Sequence, residues 1–454
     1  MNATTKNKAM SAHDYVLQSA IITSSVDTSN TTVDIKNIIT DIDIYEHLDK
    51  PYITGEILFI DDANVYNYIG FSGAEFIELT FKLPDEEAVA ITKKFVIEDT
   101  IKNVRSNDRT SAVLIRIVEV HAFNSTLINV NKAYQGKPVD IVQNIIRDNL
   151  GKDFSGPVQA DAQSPIKVLI PNMTPLQAAR WVNERATTID GVPYYFFSTL
   201  ANDKLHIIPL NLMLSTNPDP VPYVYSQITT SIAASKGIEE QAQLIQSYTS
   251  KSNDEIVSLI QKGLVGAQYK FYDPTIGSEI KNGGVTHNLD DTLQVLKSNQ
   301  IIAKNQNVLT YSNNYKLNEI PVAQLKSRVV TKVVMSDVYN SKNSYSEAVD
   351  LSQHKLKVTN EALRETIIRN AIEVILPGRN FLNGAYSNTI GNQITLKFLD
   401  TAVNPSREEE SLEDQKKSGD YLMYAVRHSF KNERYDVIAS CVKLADLPRE
   451  TNIK

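Results

Sequence analysis

A strand-and-hairpin pattern occurs twice in this chain, and that repetition constrains the fold more than any other feature. The copy near the end runs from Tyr421 to Leu444. Tyr421–Phe430 is rich in aromatic and β-branched residues, Lys431, Asn432 and Glu433 make a short polar turn, and Tyr435–Leu444 alternates. Val437, Ala439, Cys441 and Lys443 fall on one face, and Asp436, Ile438, Ser440, Val442 and Leu444 on the other. The earlier copy has the same layout, with strands Phe95–Arg105 and Thr110–Val120 across a turn at Ser106–Arg109. A glycine and a strand ending in Leu-x-Phe precede each copy, Gly73 to Phe81 and Gly391 to Phe398. Two matched units in the same order predict a duplicated β domain, with residues 73–120 and 391–444 equivalent. A one-residue slip would turn each buried face outward. Val113, Ile115 and Ile117 are therefore expected to share one face, as are Val437, Ala439 and Cys441.

The length of 454 residues suggests about three domains. With 42% hydrophobic and 22% charged residues, the chain has ample material for globular cores. A net charge of −7 argues against a nucleic-acid-binding surface as the main function. One cysteine excludes an internal disulfide and fits a reducing compartment of synthesis. The polar start, Met1 to Met10, lacks the apolar stretch of a signal peptide, and no apolar run is long enough to span a bilayer. The expectation is a protein made in the cytoplasm and not integral to a membrane.

Taken in order, the chain reads as α+β and mainly β: two similar antiparallel β-barrel domains with α+β insert domains between them. Residues 1–14 are an N-terminal arm and 15–128 the first barrel, with strands at Val16–Thr23, Val33–Tyr45 and Ile53–Ile60 and a helical turn at Ala63–Tyr68. Residues 129–215 are an α+β insert. Its first helix, Lys137–Leu150, has Pro138 in the first turn, Gly151 as a stop and an apolar stripe of Val142, Ile145 and Ile146. Its second helix starts on a capping box, Thr174 with Gln177, and turns Leu176, Ala179, Val182 and Ala186 inward. A short strand at Ile166–Ile170 and a hairpin of Val192–Ser198 with Lys204–Ile208 complete it. The Pro-rich stretch Asn217–Pro222 opens a second insert or connecting region, 216–343, with a polar helix at Asp254–Lys262, a turn at Asn282–Gly284 and a strand at Arg328–Met335. Residues 344–448 are a helix, Ser346–Arg364, and the second barrel, interrupted by an acidic insertion at 403–419 that reads as a solvated loop. Residues 449–454 are a tail.

No nucleotide, metalloprotease or nucleophile-elbow motif is present, and the seven histidines lack metal-ligand spacing. Asp41, Asp43, Glu46 and Asp49 form the densest acidic group outside the insertion, but without the glycine and closing glutamate of a calcium loop they read as a polar strand rim. No pair of acids is singled out for glycoside cleavage. His428 and Cys441 lie on facing strands, where packing is the commoner role than a catalytic dyad. Trp181 and Tyr194–Phe197 offer rings to a flat ligand, but on helix and strand faces such rings are more often core. Catalytic, cofactor-binding and metal residues are therefore expected to be none, and a chain of this size with a duplicated β domain reads as an assembly part.

The order of elements resembles the central baseplate hub of contractile-tailed bacteriophages, the family of the T-even gene 27 product, the late-control gene D proteins and the base of type VI secretion spikes. Gly136–Ile146, Ile170–Val182, the hairpin Tyr194–Pro209 and the closing Tyr421–Leu444 carry the likeness. The polar N-terminal arm, the acidic insertion and residues 228–340 depart from it. The resemblance implies a structural, non-enzymatic homotrimer in which two barrels per subunit alternate in a ring of pseudo-sixfold symmetry. That ring would join a sixfold tail tube, or its initiator protein, above to a threefold central spike below. Baseplate wedge proteins would surround it, and an acid-lined lumen would pass DNA without binding it. The implied location is the virion tail baseplate. A tail-associated cell-wall hydrolase and the base of a non-viral injection spike are the alternatives.

Overall fold

The computed structural model describes residues 11–24, 31–85, 87–105, 110–155, 165–216, 237–252, 351–368, 370–383, 387–400 and 417–443, with shorter pieces at 218, 221–225, 261, 267–273, 278–279, 285–287, 307–308, 316–321, 328–333, 412–414 and 445–446. The first barrel is built from β1 (Val16–Thr23), β2 (Thr32–Asp34), β3 (Ile39–His47), β4 (Thr54–Asp61), the short helix α1 (Val65–Ile69), β5 (Phe76–Lys82), β6 (Ile91–Arg105) and β7 (Ser111–Glu119). The strand order is β3-β4-β7-β6-β5-β1-β2, antiparallel throughout. The single strand expected over Val33–Tyr45 is instead two. The Asp34 carboxylate accepts from the backbone N–H groups of Lys36 (3.0 Å) and Ala20 (3.1 Å), and Ile38 N–H closes a turn on Ile35 O, which bends the chain between β2 and β3.

The insert follows as α2 (Val120–Thr126), β8 (Ala133–Gly136), α3 (Pro138–Leu150), β9 (Ile166–Leu169), α4 (Pro175–Asn183), β10 (Tyr194–Ser198), β11 (Leu205–Pro209) and α5 (Leu210–Ser215). Its helices form where the caps lie. Gly151 ends α3 at φ 62°, a left-handed conformation that glycine adopts without a Cβ penalty, and Thr174 and Gln177 make the reciprocal capping box of α4. The buried faces of α3 and α4 form a small core with Tyr194 and Phe196 of β10. The alternate residues of that strand, Tyr195 and Phe197, enter the main core instead. β10 thus fastens the insert to the barrels through both of its faces.

Beyond it come β12 (Tyr223–Tyr225), α6 (Ile238–Ala242) and β13 (Ser247–Ser252). A small sheet of β14 (Ala267–Asp273), β15 (Ser278–Glu279), β16 (Val285–His287) and β20 (Arg328–Val333) follows, with minor strands β17 (Asn307–Val308), β18 (Lys316–Leu317) and β19 (Ile320–Pro321). Helix α7 (Leu351–Ile367) leads into β21 (Asn370–Pro377), β22 (Gln393–Asp400), β23 (Leu412–Glu413), β24 (Gly419–Lys431), β25 (Arg434–Val442) and β26 (Ala445–Asp446). All but residue 261 of the helix expected at Asp254–Lys262, the turn at Asn282–Gly284, half of Asn217–Pro222 and residues 403–411 lie outside the described residues, as does the start of the expected helix Ser346–Arg364. The end of the acidic insertion is not simply a solvated loop. Leu412 and Glu413 pair with Asp400 and Leu399, and Ser418 Oγ accepts from Phe398 N–H at 3.0 Å.

The two expected hairpin units occupy the same place in two barrels. In the first, β6 pairs with β5 through its start and with β7 along its length; in the second, β24 does the same with β22 and β25. The match extends to an irregularity. β6 carries two extra residues and β24 one: apart from Ile101, between Thr100 and Lys102 and without a counterpart in β24, they are Glu98 between Ile97 and Asp99 and Tyr424 between Met423 and Ala425. Both lie directly after the residues that face Ile117 and Cys441, respectively. A glycine at φ 87° (Gly73) and one at φ 84° (Gly391) precede the two units. Val113, Ile115 and Ile117 are buried together, as are Val437, Ala439 and Cys441. The β24–β25 turn is tighter than its composition suggests. Lys431 pairs with Arg434, leaving two residues, Asn432 at φ 50° and Glu433 at φ 62°, the mirror-image turn whose twist suits a hairpin. The sixth strand differs between the copies: β1 lies antiparallel to β5, whereas β12 runs parallel to β22.

Candidate functional site

The barrels are joined edge to edge. Residues Ala425–Lys431 of β24 pair antiparallel with Asp41–His47 of β3, which makes a single fourteen-stranded sheet with one shared core. On the inner face of this seam Phe430 stacks between Tyr435 (4.2 Å, 7°) and Phe81 of the first barrel (4.5 Å, 17°). On the outer face Arg427 grips Asp43 through two bonds, Nε to Oδ1 at 3.0 Å and Nη2 to Oδ2 at 2.8 Å, and those bonds raise the Arg427 pKa. Residues 12 and 13 add a clasp: Tyr435 N–H donates to His13 O, Arg379 N–H to Ala12 O, and His13 Nδ1 lies 2.7 Å from Asp436 Oδ1.

The acidic group at 41–49 is dispersed by this arrangement. Asp43 serves the seam, Glu46 is buried and accepts from Thr389 Oγ1 (3.3 Å) and Leu200 N–H, and Asp49 binds Arg364 (3.1 Å) and the Tyr424 hydroxyl. Among the described residues no three acids, histidines or cysteines converge on a cation site. His428 and Cys441 do not meet. His428 faces Val437 and sits 2.7 Å from the Tyr435 hydroxyl, while Cys441 faces Met423, and burial pushes its thiol pKa well up. Tyr194–Phe197 are all buried in the two cores, and Trp181 is covered by the Arg185 guanidinium at 4.0 Å. A polar cleft of about 220 Å³ between insert and barrels is lined by Asp49, Arg180, Glu184, Arg364 and Tyr424. Within it Arg364 ties insert to barrels: besides Asp49 it binds Asn360 Oδ1 at 3.0 Å and caps the Tyr195 ring at 4.7 Å.

One buried polar cluster was not legible in the sequence. At the foot of the first barrel Glu119 accepts from Lys93 Nζ (2.9 Å), Ile53 N–H (3.1 Å) and Ser198 Oγ (2.8 Å). His121 Nε2 lies 2.7 Å from Pro51 O. Burial raises the Glu119 pKa, but Lys93, His121 and Ser198 outweigh it and hold the carboxyl below its ordinary value. Burial lowers that of His121. Ser198 belongs to the insert, so this cluster also fastens insert to barrel.

The strand edges that lack a partner among the described residues include those of β6 and β13. Past Val96, β6 pairs only with β7, so Asp99–Val104 present an open edge, with Ile101 38% and Val104 44% exposed. β13 pairs with β21 on one side and ends the sheet on the other.

No family model matches this chain, and no curated protein sequence does either. Solved structures do. The 43 kDa tail protein of prophage MuSo2 from Shewanella oneidensis superposes with a TM-score of 0.50 at 10% identity, covering 94% of this chain and 98% of that one. A tail protein from Neisseria meningitidis MC58 superposes with a TM-score of 0.53 at 8% identity, covering 95% and 97%. The fold is thus one found in phage tail proteins, mainly β with a large antiparallel sheet.

Proposed function

We propose that this chain is the structural hub of a contractile phage tail baseplate, without catalytic activity. Three copies form a ring in which six barrels alternate. The ring joins a sixfold tail tube, or its initiator, to a threefold central spike, is flanked by wedge proteins, and leaves a lumen for DNA. The observation that carries the reading is the pair of barrels in matched register, joined through β24 and β3 within one chain. A tandem repeat in a trimer offers six similar surfaces on one side and three on the other, which resolves a symmetry mismatch. The fold shared with tail proteins supports the same reading.

Negative-stain electron microscopy of the purified chain tests it. Class averages should show a closed ring with six similar lobes and a central hole. Compact particles without a hole would remove the hub reading, and a clear zone on a peptidoglycan zymogram would favour a hydrolase.

A further inference from the structure

We infer that the joint between the insert and the barrels is a proton-sensitive latch: three histidines built into it, His47, His121 and His206, are neutral when it is closed, so mild acid loosens its hold on the β10–β11 hairpin while the barrels stay folded. The latch lies within one chain and needs no second copy.

Two buried carboxylates of the first barrel hold the tip of that hairpin. Glu119 accepts from Ser198 Oγ at 2.8 Å, and Glu46 accepts from Leu200 N–H. Around these anchors the hydrogen bonds fix the state of each imidazole. His206 of β11 stacks on Phe197 (5.0 Å, 8°), with Nε2 3.2 Å from Asn202 Nδ2. Asn202 Oδ1 accepts from Lys204 N–H at 2.9 Å, which turns the amide nitrogen toward the ring, so His206 Nε2 accepts and carries no proton. His47 of β3 accepts from Asp49 N–H through Nδ1 at 3.1 Å, with its ring edge-on to Tyr424 beside the polar cleft. His121 donates through Nε2 to Pro51 O, and its Nδ1 is buried with no hydrogen-bond partner among the described residues. A proton added to His47 or His206 meets a donor already in place. One added to His121 sets a second cation beside Lys93, which already takes Glu119 Oε1 at 2.9 Å, against 3.7 Å from His121 Nδ1.

The charges that face the three rings are of both signs. Asp49, Lys50 and Arg180 face His47, and Glu119, Lys93 and Lys152 face His121. Glu46 and Lys93 face His206; Glu46 also lies 3.6 Å from His428 Nε2, and Asp203 lies near both Lys93 and Lys152. The carboxylates favour a charged ring, but burial outweighs them at all three sites and lowers all three pKa values, that of His206 to about 4. A closed-state value below the open one of about 6.5 gives stability that is present above pH 6.5 and is lost as pH falls toward the closed-state values. Glu119, held below its ordinary 4.5, adds to the loss only at lower pH. Each proton that the open joint binds and the closed joint refuses raises the open population about tenfold per pH unit. Titrating near 6.5 when open and about 4 when closed, His206 alone should raise it about twentyfold between pH 7 and pH 5. His47 and His121 act in the same direction.

Hydrogen exchange of the full chain, followed by mass spectrometry at pH 7 and pH 5 and corrected for the pH dependence of intrinsic exchange, tests the latch. Protection of the β10 and β11 amides should fall about twentyfold or more, and that of β4 and β25 by less than about threefold. A fall short of about tenfold in the hairpin, or an equal fall in the barrel strands, overturns the latch. In His206→Gln the readout is the ratio of hairpin protection between the two pH values, which is independent of any loss of packing common to both. That ratio should shrink about twentyfold, and an unchanged ratio would overturn the part given to His206.

Discussion

Replacing Lys93 with Met removes the cation from a carboxylate that water does not reach. The Lys93 and Glu119 side chains are 2% and 3% exposed, with Nζ and Oε1 2.9 Å apart. Met retains most of the apolar stem, so the packing change is small. Glu119 keeps the Ile53 N–H and the Ser198 hydroxyl. Deleting one partner of a buried ion pair costs about 3–5 kcal/mol, and the two retained donors place the expected loss near the lower end, about 3 kcal/mol. The pH dependence is diagnostic. In the native protein the Glu119 pKa is held below its ordinary 4.5, so its contribution is present above that value and is lost as pH falls through the lower folded-state value. In the variant, burial dominates and the folded-state pKa moves above the unfolded one. The penalty is then largest at neutral pH and shrinks as the carboxyl takes up a proton. Urea unfolding, followed by the fluorescence of the single tryptophan, Trp181 in α4 of the adjoining insert, should show a gap of about 3 kcal/mol near pH 7 that narrows near pH 5. A gap under about 1 kcal/mol, or one that is the same at both pH values, would refute this account of the cluster.

Two other substitutions probe the second barrel. At Gly378 an added Cβ would lie 1.9 Å from Cδ1 of the buried Tyr435, so Gly378→Ala should cost about 3 kcal/mol or prevent folding, while Gly237→Ala, which meets nothing within 4 Å, should stay within about 0.5 kcal/mol; equal thermal midpoints would contradict the packing. Replacing residues 403–411 with a short Gly-Ser link should change stability by under about 1 kcal/mol, whereas extending the replacement through Ser418 removes the β23 pairing and the Ser418 bond to Phe398 and should cost visibly more by thermal unfolding.

The hairpins, the capped helices and the inward faces were legible because each is written in local periodicity or in a cap, as at Thr174 and Gly151. What brings the barrels together was not. Pairing between β24 and β3 links residues far apart in the chain, and nothing local marks Arg427 as the partner of Asp43. The matched bulges fall on Glu98 and Tyr424, two residues with no common bulge chemistry. The polarity of β12 follows from its path through the fold rather than from its three residues. The Glu119 cluster was hidden for the same reason. Lys93, Glu119 and Ser198 come from three strands, and a strand lysine reads as solvated until its neighbours cover it. The acids at 41–49 misread in the opposite direction: close in sequence, they separate onto different faces and find different cations and donors.

The central claim is that three copies assemble, and native mass spectrometry of the purified chain across a micromolar dilution series measures it most directly. The account predicts a dominant species of three 50.7 kDa chains that persists at the lowest concentration where signal remains. A monomer at every concentration, or a dimer as the largest species, would contradict it.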